Sequence, residues 1–490
     1  MINSIIRQKQ NPILIGGLSG MFPAIFYSVK NFGLVYSSRH LLFFTICFVI
    51  IPIIISVVVN TVFSSYKYHQ LKKHWNPFFS FVYFFGSINF LNFGGKLELL
   101  LYPCILLGGV VFSYGFKAHF SKFLFFQFLL TTYGVFNLGA SFFKYANVST
   151  EWKNQNDDIE QIELIHRPNI YLFQPDGYVN FSEINNGFYM YDNSVFENYL
   201  TEKGFINYDG FRSNYFSTLT SNSSLFMMKH HYYFFKPERA DQFNYRKHII
   251  TENTVLSILK NNNYQTHYIV ENPYILASVP ALGYDTVNIS YDEFGPLYQW
   301  GEPVHDVYED FVTQINQDPS TPQFYFVEFY KPAHVSVSKN GSKGKEKERE
   351  QWIDQLKEAN NLLVNLVDTV LEKDPDALII ILGDHGGYVG FDYTKQIKTK
   401  TLDRDLIYSA FSTQLSILWP SEKLKQSSPE IKSSVNVFRH LFSNLAEDSK
   451  YTKHLEPNES WNIVLDEQEK GIYKYIGENG EIDMSKLDDR

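Results

Sequence analysis

Cysteine is almost missing: the 490 residues include only Cys47 and Cys104, both inside apolar stretches. The polar remainder has none, which excludes disulfides and thiolate metal sites there. Basic excess is missing as well. A formal charge of −9, with no basic helix and no aromatic-basic stripe, argues against nucleic acid as a partner. No internal repeat is evident. The first residues lack a compact apolar core followed by a small-residue cleavage site, so the first spans are expected to act as the export signal and stay in place.

What is present is unevenly distributed. Most of the apolar excess precedes Lys144 and most of the charge follows it, so the chain reads as a membrane part and a water-soluble part. Leu41–Phe63 is an apolar run without a charge, long enough for a hydrocarbon core of ~30 Å. Leu97–Phe116 and Phe123–Phe143 also qualify, and Pro77–Phe93 is shorter but apolar and aromatic. Pro12–Val29 is interrupted by Gly16, Gly17, Gly20 and Pro23 and is compatible with a span or with an interfacial or re-entrant stretch. Five spans from a cytoplasmic start leave seven basic residues inside (Arg7, Lys9, Lys67, Lys72, Lys73, Lys117, Lys122) and three outside (Lys30, Arg39, Lys96). That is the bias expected of cytoplasmic loops. Five crossings place everything after Lys144 on the extracytoplasmic side of a cytoplasmic (inner) membrane, the expectation adopted, whereas four from the same start would place it inside.

The expected organisation is a multi-pass membrane domain over residues 1–146, a polar linker over 147–167 and a soluble domain over 168–490. In the soluble part, strands are predicted at Ile170–Phe173, His267–Val270, Phe324–Phe329 and Ala377–Leu382. Helices are predicted at Val195–Lys203, Thr254–Lys260 and Gln351–Leu371. In the last of these, Ile353, Leu356, Leu363, Leu366, Val367 and Val370 share one face, the pattern of a helix packed on a sheet. Alternating strands and helices predict an α/β layered domain. Ser338–Arg349 reads as a mobile surface loop, and Glu478-Asn479-Gly480 as the turn of a small hairpin.

Three strand runs stop on chemistry. Ile170–Phe173 leads to Asp176-Gly177, Phe324–Phe329 leads to His334, and Ile379–Leu382 leads to Gly383-Asp384-His385-Gly386-Gly387. Ligands in open α/β sheets bind beyond the carboxyl ends of the strands. Asp176, Asp384 and His385 form an O,O,N set suited to one divalent ion such as Zn²⁺ or Mn²⁺. Taken singly, Asp-Gly is compatible with a plain turn, His334 with a surface loop and Asp384-His385 with a cap. A hydroxyl-rich segment, Ser213 to Ser224, precedes the apolar Leu225-Phe226-Met227-Met228. If Thr218 begins a helix there, its hydroxyl lies where backbone N–H groups favour an anion. The same composition also suits an ordinary N-cap or a Ser/Thr-rich loop.

Pro168 to Tyr178, the Thr218 segment, His334 and Gly383-Asp384-His385-Gly386 occur in the order found in sulfatase-like members of the alkaline phosphatase superfamily. With several N-terminal spans ahead of them, the chain resembles lipoteichoic acid synthases and lipid A phosphoethanolamine transferases. The resemblance implies a mostly parallel sheet sandwiched by helices. It implies Asp176, Asp384 and His385 as metal ligands, Asp176 replacing a glutamate of those transferases. It further implies Thr218 as a nucleophile that also contacts the metal, and His334 as a contact to substrate or a second metal. No second complete metal site is recognised, so one ion is expected.

Two departures narrow the expectation. The Cys/Ser-x-Pro-x-Arg motif of true sulfatases is missing around Thr218, which argues against sulfate-ester hydrolysis. The disulfide cysteines of the phosphoethanolamine transferases are missing too. The reading is a metal-dependent transferase. It moves a phospho-alcohol group, of phosphoethanolamine or phosphoglycerol type, from a membrane phospholipid to an envelope glycan through a covalent threonine intermediate. A phosphodiester hydrolase with the same site and an inactive membrane scaffold of polysaccharide assembly are the alternatives.

Overall fold

The computed structural model describes residues 11–35, 37–63, 69–92, 95–232, 245–295, 297, 303–315 and 320–487. Of the sequence expectations, Arg7, Lys9, Lys67 and Phe93 lie outside these residues. The chain divides into two compact units, Met1–Val148 and Ser149–Arg490.

The first unit consists of helices α1 (Pro12–Lys30), α2 (Ser38–Val62), α3 (His69–Asn92), α4 (Gly95–Gly115) and α5 (Phe120–Ala146). Among the described residues, three stretches, α1, α2 and the one containing α5, are long and apolar enough to cross a membrane, and Leu99–Gly115 is a shorter apolar helix. The glycines of α1 do not break it. A Cβ on Gly16 would stand 2.5 Å from the Ile53 Cα, and one on Gly20 would stand 2.0 Å from the Phe48 carbonyl oxygen. Bare backbone is what lets α1 and α2 touch, as small residues do between membrane helices. Hydroxyl and amide groups are paired across helices: Ser19 Oγ to Ser80 Oγ at 2.9 Å, Ser80 Oγ to Gln127 Oε1 at 3.2 Å, and Asn60 Nδ2 to Asn76 Oδ1 at 2.8 Å.

Among the described residues, the second unit is built on nine strands: β1 (Ile170–Pro175), β2 (Ile206–Asn207), β3 (Gln265–Val270), β4 (Thr286–Val287), β5 (Gln323–Phe329), β6 (Leu378–Leu382), β7 (Leu415–Leu418), β8 (Ser460–Val464) and β9 (Gly471–Ile476). The first seven form one sheet in the order β2-β7-β6-β1-β5-β3-β4, while β8 and β9 pair separately as a hairpin. Neighbours from β6 through β4 are parallel, whereas β7 runs antiparallel to β6 and β2 antiparallel to β7. The central strands are buried on both faces, which explains their nearly continuous apolar runs. Leu172, Phe324, Phe326 and Ile380 feed one core; Phe173, Tyr325, Val327, Ile379 and Ile381 feed the other.

Helices α6 (Thr218–Met227) and α8 (Val437–Leu445) cover the first face, and α7 (Lys345–Lys373) covers the second. The architecture is therefore a helical N-terminal region followed by a mostly parallel sheet between helical layers. Two details differ from the sequence reading. The charged end of the expected loop Ser338–Arg349 is helical from Lys345, because Gly344 (φ +91°) turns the chain into α7 and its first turns carry paired charges such as Glu346 with Arg349. The segment expected as a linker packs on the second unit: Ile159, Ile162 and Leu164 enter its core, and Asp157 pairs with the buried Arg439 at 2.7 Å.

Candidate active site

β1, β5 and β6 lie side by side, so their carboxyl ends deliver Asp176, the His334 loop and Asp384-His385 to one edge of the sheet. The turn after β1 is tightly held. Asp176 N–H donates to the Phe329 carbonyl (3.0 Å), and Ala333 N–H donates to the Asp176 carbonyl (2.8 Å). Gly177 has φ +69°, and a Cβ there would stand 2.0 Å from the Ala333 oxygen. Only glycine fits. The Trp352 indole N–H of α7 reaches the carbonyls of Gly177 (3.3 Å) and Ala333 (3.2 Å), so the helix clamps both loops.

Asp176, Asp384 and His385 are all buried, and each offers a ligand atom within 4.8 Å of the others. It is the one such group of metal-ligand residues among the described residues. His385 Nε2 lies 3.5 Å from Asp176 Oδ1 and 3.3 Å from Asp384 Oδ2. Asp384 Oδ1 accepts from the backbone N–H of Gly177 (3.1 Å) and His385 (2.8 Å), leaving Oδ2 to face the cluster. His385 Nδ1 lies 2.8 Å from the Gly386 carbonyl. A ring that donates there carries its lone pair on Nε2, the arrangement that second-shell carbonyls impose on metal-binding histidines.

Thr218 is the first residue of α6, and its Oγ1 is 3.3 Å from His385 Nε2. The N-cap residue, Ser217, makes no side-chain cap bond, which leaves first-turn N–H groups for an anion. Two contacts fix this helix. Asn222, one turn beyond Thr218, donates to Gln174 Oε1 of β1 at 2.7 Å. The Tyr388 hydroxyl, from the loop after His385, donates to the Phe216 carbonyl, two residues before Thr218. His334 stands beside the cluster rather than in it: its ring centroid is 6.1 Å from that of His385, and its Nδ1 is 2.8 Å from the Val335 carbonyl.

The electrostatics are one-sided. Burial first, then the Asp384 charge, then Glu328, push the Asp176 carboxyl well above its usual range. Glu328, next to β1 on β5, is pushed up to about 8 by burial, with the Asp384 charge adding to the shift. Burial and the neighbouring His385 lower the His334 imidazole. Asp176 Oδ1 and Asp384 Oδ2 are buried without a hydrogen-bond partner. Buried carboxylate oxygens without partners are costly unless a cation compensates them. Two orphaned oxygens and one imidazole lone pair converge here, so the residues fit a divalent ion.

The sulfatase family model matches residues 198–445, half of the chain. The chain belongs to the sulfatase family. The matched stretch contains Thr218, His334, Asp384 and His385 and begins after Asp176. Similar solved structures include the zinc-complexed C-terminal periplasmic domain of EptC from Escherichia coli, at 14% identity and TM-score 0.39, covering 57% of this chain and 82% of that one. The integral membrane lipooligosaccharide phosphoethanolamine transferase A from Neisseria meningitidis is similar at 13% identity and TM-score 0.39, over 88% of this chain and 95% of that one. An alkaline phosphatase superfamily protein from Vibrio parahaemolyticus is similar at 13% identity and TM-score 0.42, over 68% and 85%. No curated protein matches the chain.

The sequence reading did not reach Trp352, Tyr388, Gln174 or Asn222. Trp352 carried one signal, the bulkiest side chain on the apolar stripe of α7. The Gln174–Asn222 pair carried none, because Gln174 is a single polar residue closing an apolar strand and Asn222 is one polar residue among several in its segment.

Proposed function

We propose that the chain is a metal-dependent phosphotransferase that uses Thr218 as its nucleophile. It takes a phospho-alcohol group, of phosphoethanolamine or phosphoglycerol type, from a membrane phospholipid and passes it to an envelope glycan. In this reading Asp176, Asp384, His385 and Thr218 hold one divalent ion, zinc or manganese. When bound, the ion supplies positive charge that lowers the threonine pKa and offsets charge on the phosphoryl oxygens.

The residues of the chain do the rest. The start of α6 presents the Thr218 hydroxyl, and its N–H groups receive a phosphoryl oxygen. Thr218 Oγ bonds to phosphorus as the bond from phosphorus to the diacylglycerol oxygen breaks, and that oxygen takes up a proton. A hydroxyl of the glycan then attacks the same phosphorus and returns Thr218 to its free form. His334, anchored through Nδ1, exchanges a proton at Nε2 with the leaving and entering oxygens. The membrane unit keeps the second unit beside its lipid donor, at the extracytoplasmic face of the cytoplasmic membrane.

The observation that carries this reading is the Thr218 hydroxyl, at a helix start, 3.3 Å from an imidazole nitrogen that one unpartnered oxygen from each of two carboxylates also faces. Its test is mass spectrometry of the full-length protein after exposure to membrane lipids. A mass corresponding to one phospho-alcohol on Thr218 is expected; an unmodified Thr218 in lipid-consuming enzyme overturns the assignment. Product analysis with and without a glycan acceptor separates transfer from hydrolysis.

A further inference from the structure

The first unit contains an apolar cavity of about 210 Å³ between α1, α2 and α5. Ala24, Phe32, Val35 and Phe44 form its buried floor, while Leu41 (67% exposed) and Phe142 (49%) stand at its edge. Helix α2 departs from α-helical winding here. Residues Ile46–Ile50 form a π-helical turn, flanked by the lining residue Thr45 and including the lining residue Val49. Such turns bulge a helix and recur at functional sites.

No charged side chain lines the cavity, but a basic residue stands two positions from each of the lining residues Ser28, Leu41 and Phe142. Lys30 closes α1, Arg39 opens α2 and Lys144 lies in the last turn of α5. Residues 1–148 contain a single acid, Glu98, and it lies in α4 rather than among these helices. An apolar slot with basic residues at the neighbouring helix ends matches an acyl chain attached to an anionic headgroup, because basic side chains at a bilayer surface attract phosphate.

We infer that this cavity seats one acyl chain of an anionic glycerophospholipid, with Lys30 and Arg39 beside its phosphate. The inference rests on the lipid-donor reading above and names where that donor is held. It is tested with full-length protein in nanodiscs containing phosphatidylglycerol that bears a photoactivatable group on its acyl chain. Label is expected on peptides covering Ala24–Phe32 and Leu41–Val49. Ala24→Trp, which fills the floor, is expected to cut it about tenfold, the factor that ~1.4 kcal/mol of lost binding corresponds to. Lys30→Gln with Arg39→Gln should erase the preference over an equally labelled diacylglycerol.

The wild-type peptide map decides the matter even where Ala24→Trp fails to fold. Label spread equally over the exposed faces of α4 and α5, such as Leu107 and Phe136, would mean ordinary bilayer contact and would overturn the site. Thr218→Ala should label like wild type. Groove labelling retained in a protein that never modifies Thr218 would count against the catalytic reading and leave the lipid site standing.

Discussion

Asn222 and Gln174 show how much of the site depends on side chains that touch no reactant. Their hydrogen bond joins the helix that starts at Thr218 to the strand that ends at Asp176. Asn222→Ala leaves the Gln174 amide buried and unpaired, at a cost of about 1–3 kcal/mol. Small displacements of a nucleophile reduce rate far more than binding. The expected outcome is a lowered melting temperature together with a fall in kcat at nearly constant KM. Unchanged kcat would show that the helix needs no such tie. Gly177→Ala should be harsher, because its Cβ meets the Ala333 oxygen and its φ is positive. A loss of several kcal/mol is expected, on the order of 3 or more, since backbone strain adds to the clash. Thr218→Ala, in contrast, should abolish turnover while only weakening metal retention, as read by activity and metal content together.

Elements carry the next level of the account. The strand ends were legible because β1, β5 and β6 are buried on both faces, and such strands announce themselves as apolar runs. The stripe on α7 was legible for the same reason, since one face meets the sheet. Its first turns were not. Lys345 to Arg349 carry charge without apolar period, and the glycine that starts the helix looks like loop sequence. The short strands β2, β4 and β7 and the hairpin of β8 and β9 also escaped, being too brief or too mixed in pattern to separate from loop. Of the site, the residues at strand ends could be read. What joins them could not, because Trp352, Tyr388 and Asn222 act across long sequence separations. Leu363→Ala in the buried stripe should cost about 2–5 kcal/mol, whereas Lys347→Ala, an exposed residue of the first turns, should change stability by less than ~0.5 kcal/mol. Chemical denaturation of the two variants side by side checks the contrast.

At the scale of the whole molecule, buried imidazoles weaken the fold in acid, while the raised Glu328 and Asp176 carboxyls act in the opposite direction. Burial lowers His231 and His248 to about 3 and His440 to about 4. Unfolded, each would titrate near ~6.5, so below that value the unfolded chain binds more protons than the folded one. Their contribution is complete above pH ~6.5 and is lost as pH falls toward the folded values. The unfolding midpoint in detergent should therefore fall less between pH 7.5 and 5 in a His231→Gln, His440→Gln variant than in wild type, since both keep the opposing carboxyls; an identical pH response would refute it.

The carboxylates at the sheet edge give the molecule its second dependence. Asp176 and Asp384 are buried beside each other with orphaned oxygens, and a bound cation would stabilise the fold as any ligand of the native state does. The most direct measurement is elemental analysis of purified full-length protein, wild type against Asp384→Asn. The account predicts one equivalent of zinc or manganese in the wild type and a large loss in the variant. Wild-type protein without a transition metal, or an Asp384→Asn variant that retains the same equivalent, would contradict it.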